Sequence, residues 1–216
     1  MVAARERFLA GGWLEPLTTA LVEVARSTGS PQPGLAVDLG AGTGHHLAAV
    51  VAGLPGWDGL AVDLSKHAAR RAARAHPRIG AIVADTWRRL PVRDHVAGLV
   101  LATFAPRDMS EVARVLAADG TFLLATPAQQ HLQELGGELG LLTVDPRKEE
   151  RLARSTEGLL SAVERRAVRA ELDLPPDAVA DLVGMGPSAH HRAAVAVPAR
   201  VSTVTIAVDI TAYRHI

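Results

Sequence analysis

Apolar stretches alternate with helix-like stretches over residues 35–126, and this alternation restricts the fold more than any other feature of the chain. Five short stretches rich in Val, Leu and Ile have the length and composition of buried strands. The predicted strands are 35–39, 60–64, 81–85, 97–104 and 121–127. Strands that alternate with helices predict a doubly wound, parallel sheet with helices on both faces, whose ligands bind beyond the carboxyl ends of the strands.

The remaining segments are predicted to complete one domain, residues 1–216, around this sheet. The predicted boundaries are 1–30 for a helical cap broken at Gly11 and Gly12, 33–128 for the ligand-binding core, 129–200 for a helical lid and acceptor segment, and 201–216 for a C-terminal strand. The last segment is rich in β-branched residues and alternates apolar with polar residues. We therefore expect it to run antiparallel to its neighbour and to close the sheet edge.

A glycine-rich turn follows the first predicted strand, in the sequence LAVDLGAGTGHH at residues 35–46. Gly40, Gly42 and Gly44 have the spacing GxGxG and precede a predicted helix. Glycine lets the backbone bend sharply and lets a ligand approach the main chain, while the helix start offers unpaired N–H groups. Dinucleotide-binding proteins use GxGxxG, and His45 stands here in place of the third glycine. The spacing therefore disfavours NAD.

An acid two residues before this turn, in the pattern hhDhGxGxG, resembles the first motif of S-adenosylmethionine (SAM)-dependent methyltransferases. Asp63 and Asp85 end the next two predicted strands, where the methyltransferase pattern has acids for the ribose hydroxyls and the adenine amino group. The resemblance implies SAM as cofactor and the α/β class I methyltransferase fold, a Rossmann-like, mostly parallel sheet with an antiparallel C-terminal edge strand. The residues expected to bind the cofactor are Asp38, Gly40, Gly42, Gly44, His46, Asp63, Leu64, Asp85, Thr86 and Thr103.

Three longer phrases resemble the RlmA-type 23S ribosomal RNA (guanine-N1) methyltransferases, which include macrolide-resistance enzymes of actinomycetes. The phrases are ARERFLAGGWLEPL, FAPRDMSEVARVLAADGTFLLATPAQQHLQEL and MGPSAHH, and the similarity extends over about residues 4–192. Members of that family carry an amino-terminal four-cysteine zinc module that helps to grip RNA. This chain begins at the segment after the module, contains no cysteine, and has histidines where many members have aromatic residues. We therefore expect the catalytic domain to be kept and the grip on RNA to be weakened.

The charge composition favours a small acceptor over RNA. The chain has 23 basic and 23 acidic residues and a formal net charge of zero, whereas RNA binding draws on Lys and Arg to neutralise phosphates. Arginines cluster around residues 70–74 and 165–169, and we interpret both clusters as solvated helix faces. We predict methyl transfer to a ring nitrogen or carbon of a small planar heteroaromatic acceptor, indole-like or purine-like, in secondary metabolism.

Alternatives of other classes stay open at this point. One is a 23S rRNA guanine-N1 methyltransferase that acts without the zinc module, and another is a non-catalytic SAM-binding protein; NAD-dependent oxidoreduction is a more distant one. Neither a signal peptide nor a membrane span is predicted, so we expect a cytoplasmic protein without a membrane partner. Whether it forms a homodimer is left open.

Aromatic and imidazole side chains are the candidates for the acceptor site. The acceptor pocket is predicted to be lined by Phe8, Trp13, Phe104, Pro106 and His191. Methylation of a ring nitrogen releases a proton, which a neutral imidazole can accept near pH 7, and His131 and His190 are the predicted catalytic residues. Adjacent histidines on a helix point in different directions, so the pairs 45–46 and 190–191 are predicted to bind no metal.

Overall fold

The computed structural model describes residues 1–30, 32–135, 147–186 and 200–216. The helices in these ranges are α1 (Val2–Ala10), α2 (Glu15–Thr28), α3 (His45–Gly53), α4 (Lys66–Ala75), α5 (Met109–Val115), α6 (Lys148–Thr156) and α7 (Pro176–Met185). The strands are β1 (Leu35–Leu39), β2 (Asp58–Asp63), β3 (Ile79–Val83), β4 (Ala97–Thr103), β5 (Leu116–Pro127), β6 (Leu160–Leu174) and β7 (Ser202–His215). Within the described ranges no helix is long and apolar enough to cross a membrane.

The strands form one sheet in the order β3-β2-β1-β4-β5-β7-β6. β1 to β5 are parallel, and β7 runs antiparallel to both β5 and β6. The strand order reverses between β1 and β4, which is the point where sheets of this kind bind ligands. The predicted fold class is confirmed: the sheet is doubly wound and mostly parallel, and the C-terminal strand is antiparallel.

The outer edge of the sheet differs from the prediction. β6, rather than β7, is the last strand, and it pairs with β7 from Leu160 opposite His215 to Leu174 opposite Ser202. The predicted helical lid of residues 129–200 includes this segment, where the structure has a strand instead. Its Ala, Arg and Glu residues favour helices, so the composition does not indicate a strand. One face of this edge strand is largely exposed and carries charged residues, so the segment lacks the apolar alternation by which a strand is recognised.

Two element boundaries differ from the predicted ones. β3 ends at Val83, so Asp85 lies two residues beyond the strand rather than at its end. β5 begins at Leu116 rather than at residue 121, because Leu116 already pairs with Ala97 of β4. The first difference lengthens the loop after β3, and the second shortens the loop before β5. The strand order is unchanged.

α1 and α2 form the predicted cap, and their apolar side chains enter the core. Phe8, Leu17 and Leu21 are fully buried, and each such side chain contributes about 1.5–3 kcal/mol to folding. Phe8 therefore packs the core, and its predicted place in the acceptor pocket is wrong. Trp13, between the two helices, is partly buried against the same core rather than exposed above the sheet.

Candidate functional site

The glycine-rich turn between β1 and α3 has three residues in left-handed backbone conformations. The φ angles of Gly40, Gly42 and Gly44 are +69°, +58° and +79°, which side-chain-bearing residues rarely adopt. A Cβ atom on Gly40 would lie 2.5 Å from the Cβ of Ala105, and one on Gly44 would lie 2.9 Å from the Cα of Ala72. Neighbouring protein atoms leave no space for a side chain at Gly40 or Gly44, so both positions require glycine.

Asp63, the last residue of β2, holds this turn in place. Its Oδ2 accepts a hydrogen bond from the backbone N–H of Gly42 at 2.8 Å, and its Oδ1 accepts one from Ser65 at 2.8 Å. Bonds of this charged kind contribute about 1.5–3 kcal/mol each. A carboxylate has about four acceptor positions, so Asp63 can also accept the ribose hydroxyls as predicted. Its structural role was not predicted.

Asp38 lies near the end of β1 as a buried carboxyl group. Its residue surface is 3% exposed, and its Oδ1 has no hydrogen-bond partner in the described structure. Burial, followed by the nearby charge of Asp63, raises the pKa of Asp38 to about 8, while Arg5 acts in the opposite direction. A cationic ligand group beside this carboxyl would favour its charged form.

Arg5, on α1, is a residue of this region that the sequence analysis does not single out. Its Nη1 lies 2.7 Å from the position that a Cβ on Gly42 would occupy, and its charge acts on Asp38. A guanidinium group beside the glycine turn can bind a ligand carboxylate through two hydrogen bonds. The phrase ARERFLAGG contains Arg5, but nothing in its helical pattern separates Arg5 from its charged neighbours.

Large apolar side chains are exposed where β2 and β3 end. Leu64, Val83 and Trp87 are 72%, 56% and 63% exposed, and β2 pairs with β3 up to Asp63 opposite Val83. The packing of the fold does not account for this exposure, whereas a planar adenine ring would cover apolar surface here. Leu64 is among the predicted cofactor residues, and Trp87 is an addition from the structure.

Asp85 and Thr86 lie in the same loop and are both engaged within the protein. The Oδ1 of Asp85 accepts the backbone N–H of Trp87 at 3.0 Å, and the other oxygen pairs with Arg88 at 3.4 Å. The buried hydroxyl of Thr86 donates to the carbonyl of Pro106 at 2.8 Å. Thr86 and Pro106 thus join the loop after β3 to the loop after β4, and contacts of Asp85 with adenine stay a prediction.

Three buried side-chain atoms in the described residues lack any hydrogen-bond partner, and all three belong to the segments at the carboxyl ends of β1 and β4. They are Oδ1 of Asp38, Oγ1 of Thr103 and Nε of Arg107. Buried polar atoms are nearly always paired, so each exception needs an explanation. Because β1 and β4 flank the point where the strand order reverses, a ligand bound at this point explains the three together.

Phe104 follows β4 in a conformation that is rare for a residue with a side chain. Its φ angle is +54°, which costs about 1–2 kcal/mol. Its backbone N–H donates to Ala125 at 3.1 Å, and its ring stacks on His131 with 5.5 Å between the ring centroids. The residue nevertheless remains 40% exposed. A supported and partly exposed aromatic ring is a suitable surface for stacking a planar ligand.

His131 is held in a neutral form that carries its proton on Nε2. Its Nδ1 accepts the backbone N–H of Ala207 at 3.2 Å, which assigns this tautomer. Burial, followed by the charge of Lys148, lowers the pKa of His131 to about 4. With Nδ1 occupied and Nε2 protonated, His131 can donate a hydrogen bond to a ligand but cannot accept its proton. This geometry does not support the predicted role as proton acceptor.

Arg107 and Lys148 add two cations beside this region that were not predicted. Arg107 donates to the carbonyl of Ala105 at 2.9 Å, and Lys148 donates to that of Pro127 at 2.6 Å. Burial is the main cause that lowers the pKa of both, and the charge of Arg107 contributes to bringing Lys148 to about 8. Their proximity depends on contacts between distant segments, which no local sequence pattern indicates.

His46, at the start of α3, packs against α2. Its Nδ1 lies 3.1 Å from the hydroxyl of Thr18 on α2, and that hydroxyl gives its own proton to the carbonyl of Leu14. Burial, followed by the charge of His45, lowers the pKa of His46 to about 3, so the ring is neutral. The contact of His46 with the cofactor stays a prediction. His190 and His191 lie outside the described residues, and their roles stay predictions.

The residues at the switch point fit SAM in three independent respects. Arg5 beside the glycine turn suits its carboxylate, the unpaired Asp38 suits its cationic methionine end, and the exposed apolar residues after β2 and β3 suit its adenine. The matching family model is that of a methyltransferase domain, over residues 37–124.

Comparison with known proteins identifies the family. A 23S rRNA (guanine(748)-N(1))-methyltransferase from Streptomyces fradiae is 47% identical over 193 residues, which cover 89% of this chain and 69% of the relative. A protein of Micromonospora griseorubida, provisionally named as a 23S rRNA (guanine-N(1)-)-methyltransferase, is 46% identical over 235 residues, with 100% of this chain and 80% of the relative covered. The chain belongs to the RlmA-type 23S rRNA (guanine-N1)-methyltransferase family.

This RlmA-type protein is therefore a class I methyltransferase that uses SAM as cofactor, as the sequence analysis predicts. The fold agrees with a solved structure of a geranyl diphosphate methyltransferase in complex with SAM. That comparison has a TM-score of 0.56 at 15% identity and covers 98% of this chain and 90% of the other.

The charge state of Asp38 predicts that the RlmA-type chain binds SAM more tightly as the pH rises. A pKa of about 8 keeps Asp38 protonated at lower pH, and a cationic ligand prefers the charged form. The Kd for SAM is therefore expected to fall by up to about tenfold per pH unit between about pH 6 and pH 8, and to level off above. Calorimetry at a series of pH values measures this.

Two variants test whether Asp38 is the group whose titration changes the Kd for SAM. Asp38→Asn should flatten the profile because it removes the titrating group. Asp58→Asn changes the same chemistry at an exposed position at the start of β2 and should leave the profile like that of the wild type. A flat profile for the wild type would contradict a role for Asp38 beside the cation.

Proposed function

We propose that this RlmA-type methyltransferase transfers the methyl group of SAM to N1 of a guanine in 23S rRNA, which releases S-adenosylhomocysteine and the N1 proton. The observation that carries the proposal is the ring of Phe104, supported by His131 and exposed beside the unpaired groups at the switch point. A base extruded from an RNA strand offers a planar face to such a ring. The names of the two relatives supply the base and the nitrogen.

The small heteroaromatic acceptor that the composition favours has less support. A free heterocycle could stack on Phe104 as well, but nothing in the described residues selects it over a nucleotide. The cations Arg107 and Lys148 beside the stacked pair suit an acceptor that carries or develops negative charge. Guanine develops such charge when it loses its N1 proton, so the base proposed by the comparison also fits the local electrostatics.

Positioning is the main contribution of this chain to the reaction. The cofactor supplies a methyl group that is already activated on a sulfonium centre, and holding two reactants in line contributes about 7–11 kcal/mol. Asp63 fixes the glycine turn on one side, and Phe104 holds the base on the other. The Nε2–H of His131 is a donor suited to the carbonyl oxygen of a guanine, where negative charge grows as N1 is deprotonated.

The proposal is tested with unmethylated 23S rRNA made by transcription in vitro. The purified chain is incubated with this RNA and methyl-labelled SAM, the RNA is digested to nucleosides, and N1-methylguanosine is quantified by mass spectrometry. Primer extension then maps the site, because methylation at N1 blocks base pairing. Indole and free guanosine serve as parallel acceptors. We expect label in the rRNA as N1-methylguanosine. Label in a small heterocycle together with unlabelled rRNA would contradict the proposal.

A further inference from the structure

A groove of about 580 Å³ lies between α1, the start of α3 and α4, apart from the proposed guanine site. One wall is α4, whose sequence KHAARRAARA contains no acidic residue. Alanines form its buried face, and Arg70, Arg71 and Arg74 line the groove. Thr43 and His45, on either side of the last glycine of the turn, line it as well. The groove therefore begins next to the cofactor-binding turn.

Two arginines of this groove have no carboxylate partner among the described residues. Arg71 donates to Glu6 of α1 at 2.8 Å, which accounts for that pair. Arg70 and Arg74 are exposed and lie one helical turn apart, where like charges destabilise a helix by about 0.2–0.5 kcal/mol. The helix dipole favours Arg74 in the last turn, but Arg70 lies in the middle of α4. Folding alone therefore does not explain this pair of charges.

The arginine cluster at residues 165–169 differs from Arg70 and Arg74 because two of its arginines are paired with carboxylates. The sequence analysis treats residues 165–169 as equivalent to residues 70–74, but they lie on β6 rather than on a helix. Arg166 pairs with Glu23, and Arg169 donates to Asp209 at 2.8 Å. These arginines connect β6 to its neighbours through carboxylates, whereas Arg70 and Arg74 leave their charge available to a ligand.

We propose that this groove binds the sugar-phosphate backbone of the RNA next to the target guanine, through Arg70 and Arg74. The inference depends on the proposed function, because it places the same RNA on a second surface. Guanidinium groups bind phosphate oxygens through paired hydrogen bonds. The zero net charge of the chain is no obstacle, because binding responds to the local potential rather than to the sum over the surface.

The test compares two double variants with the same change of charge. Arg70→Gln with Arg74→Gln removes the proposed phosphate contacts. Arg93→Gln with Arg154→Gln removes two other exposed arginines, one in the loop that leads into β4 and one in the last turn of α6. The Kd for the 23S rRNA transcript is measured at several salt concentrations, and the Kd for SAM and the melting temperature are measured as checks on folding.

We expect the first variant to bind the rRNA about tenfold more weakly, and its log–log salt dependence to be less steep by about 1.5, because two phosphate contacts are lost. The second variant should bind as the wild type does, and both should keep wild-type affinity for SAM. Unchanged affinity and salt dependence in the first variant, with a wild type that methylates the rRNA, would overturn the groove proposal alone. A wild type that leaves the rRNA unmethylated would instead overturn the proposed function.

Discussion

Replacing Gly40 by alanine is expected to weaken SAM binding by about 100-fold or more while leaving a folded protein. The φ angle of +69° strains any side-chain-bearing residue, and the new Cβ would lie 2.5 Å from the Cβ of Ala105. The turn or the loop after β4 must therefore move. Because the N–H groups of Gly40 and Ala41 both donate to Val62 in β2, such a movement also breaks the contact between turn and sheet.

Gly158 provides the matched control for backbone strain. Its φ angle is +71°, but an added Cβ would meet nothing within 4 Å. Gly158→Ala should therefore lower the melting temperature through strain and leave the Kd for SAM unchanged. Calorimetric titration and thermal unfolding of both variants separate the two effects. Wild-type SAM affinity in Gly40→Ala would show that the close packing of this turn does not matter for the cofactor.

The glycine turn and the two acids that precede and follow it were accessible from sequence because local rules determine them. Left-handed turns select glycine at Gly40, Gly42 and Gly44, and a carboxylate at a strand end appears as an acid after an apolar run. The structure places Asp38 and Asp63 beside this turn. Features of this kind can be predicted without knowing which distant segments contact each other in the fold.

Features that depend on distant contacts were missed or misassigned. His46 contacts Thr18 of α2, and Phe8 lies in the core, because the cap packs on α3 and on the sheet in a way that no local pattern encodes. Arg107 and Lys148 belong to segments that are distant in sequence, and the charge of Arg107 acts on Lys148 only once the chain has folded. β6 falls within the predicted helical lid, and its strand conformation depends on pairing with β7, which the isolated segment does not reveal.

The net charge was the weakest guide to the acceptor. A net charge of zero hides how the charges are arranged on the surface. Carboxylates pair with Arg166 and Arg169 of one arginine cluster, whereas Arg70 and Arg74 of the other have no such partner among the described residues. Recognition of a nucleic acid depends on the arrangement of charges, which requires the fold. The sequence resemblance predicts the family that the comparisons show, and the relatives in that family favour the rRNA acceptor proposed here.

Replacing Phe104 by alanine should separate the acceptor site from the cofactor site. Stacking of a base on an aromatic ring contributes about 1–3 kcal/mol, so we expect kcat/KM for 23S rRNA to fall by roughly 10- to 100-fold. The Kd for SAM should be unchanged, since the ring of Phe104 stacks on His131 on the proposed acceptor side. Steady-state kinetics with the transcribed rRNA and calorimetry with SAM give the two values.

Two further variants decide whether the ring itself is responsible. Phe104→Trp keeps an aromatic face and should recover most of the kcat/KM, whereas a loss caused by the strained backbone, with its φ of +54°, would remain. Trp87→Ala should show the opposite pattern, with weaker SAM binding, because its exposed ring lies on the proposed adenine side. If Phe104→Ala weakens SAM binding and rRNA methylation equally, the ring belongs to the cofactor site and the guanine must stack elsewhere.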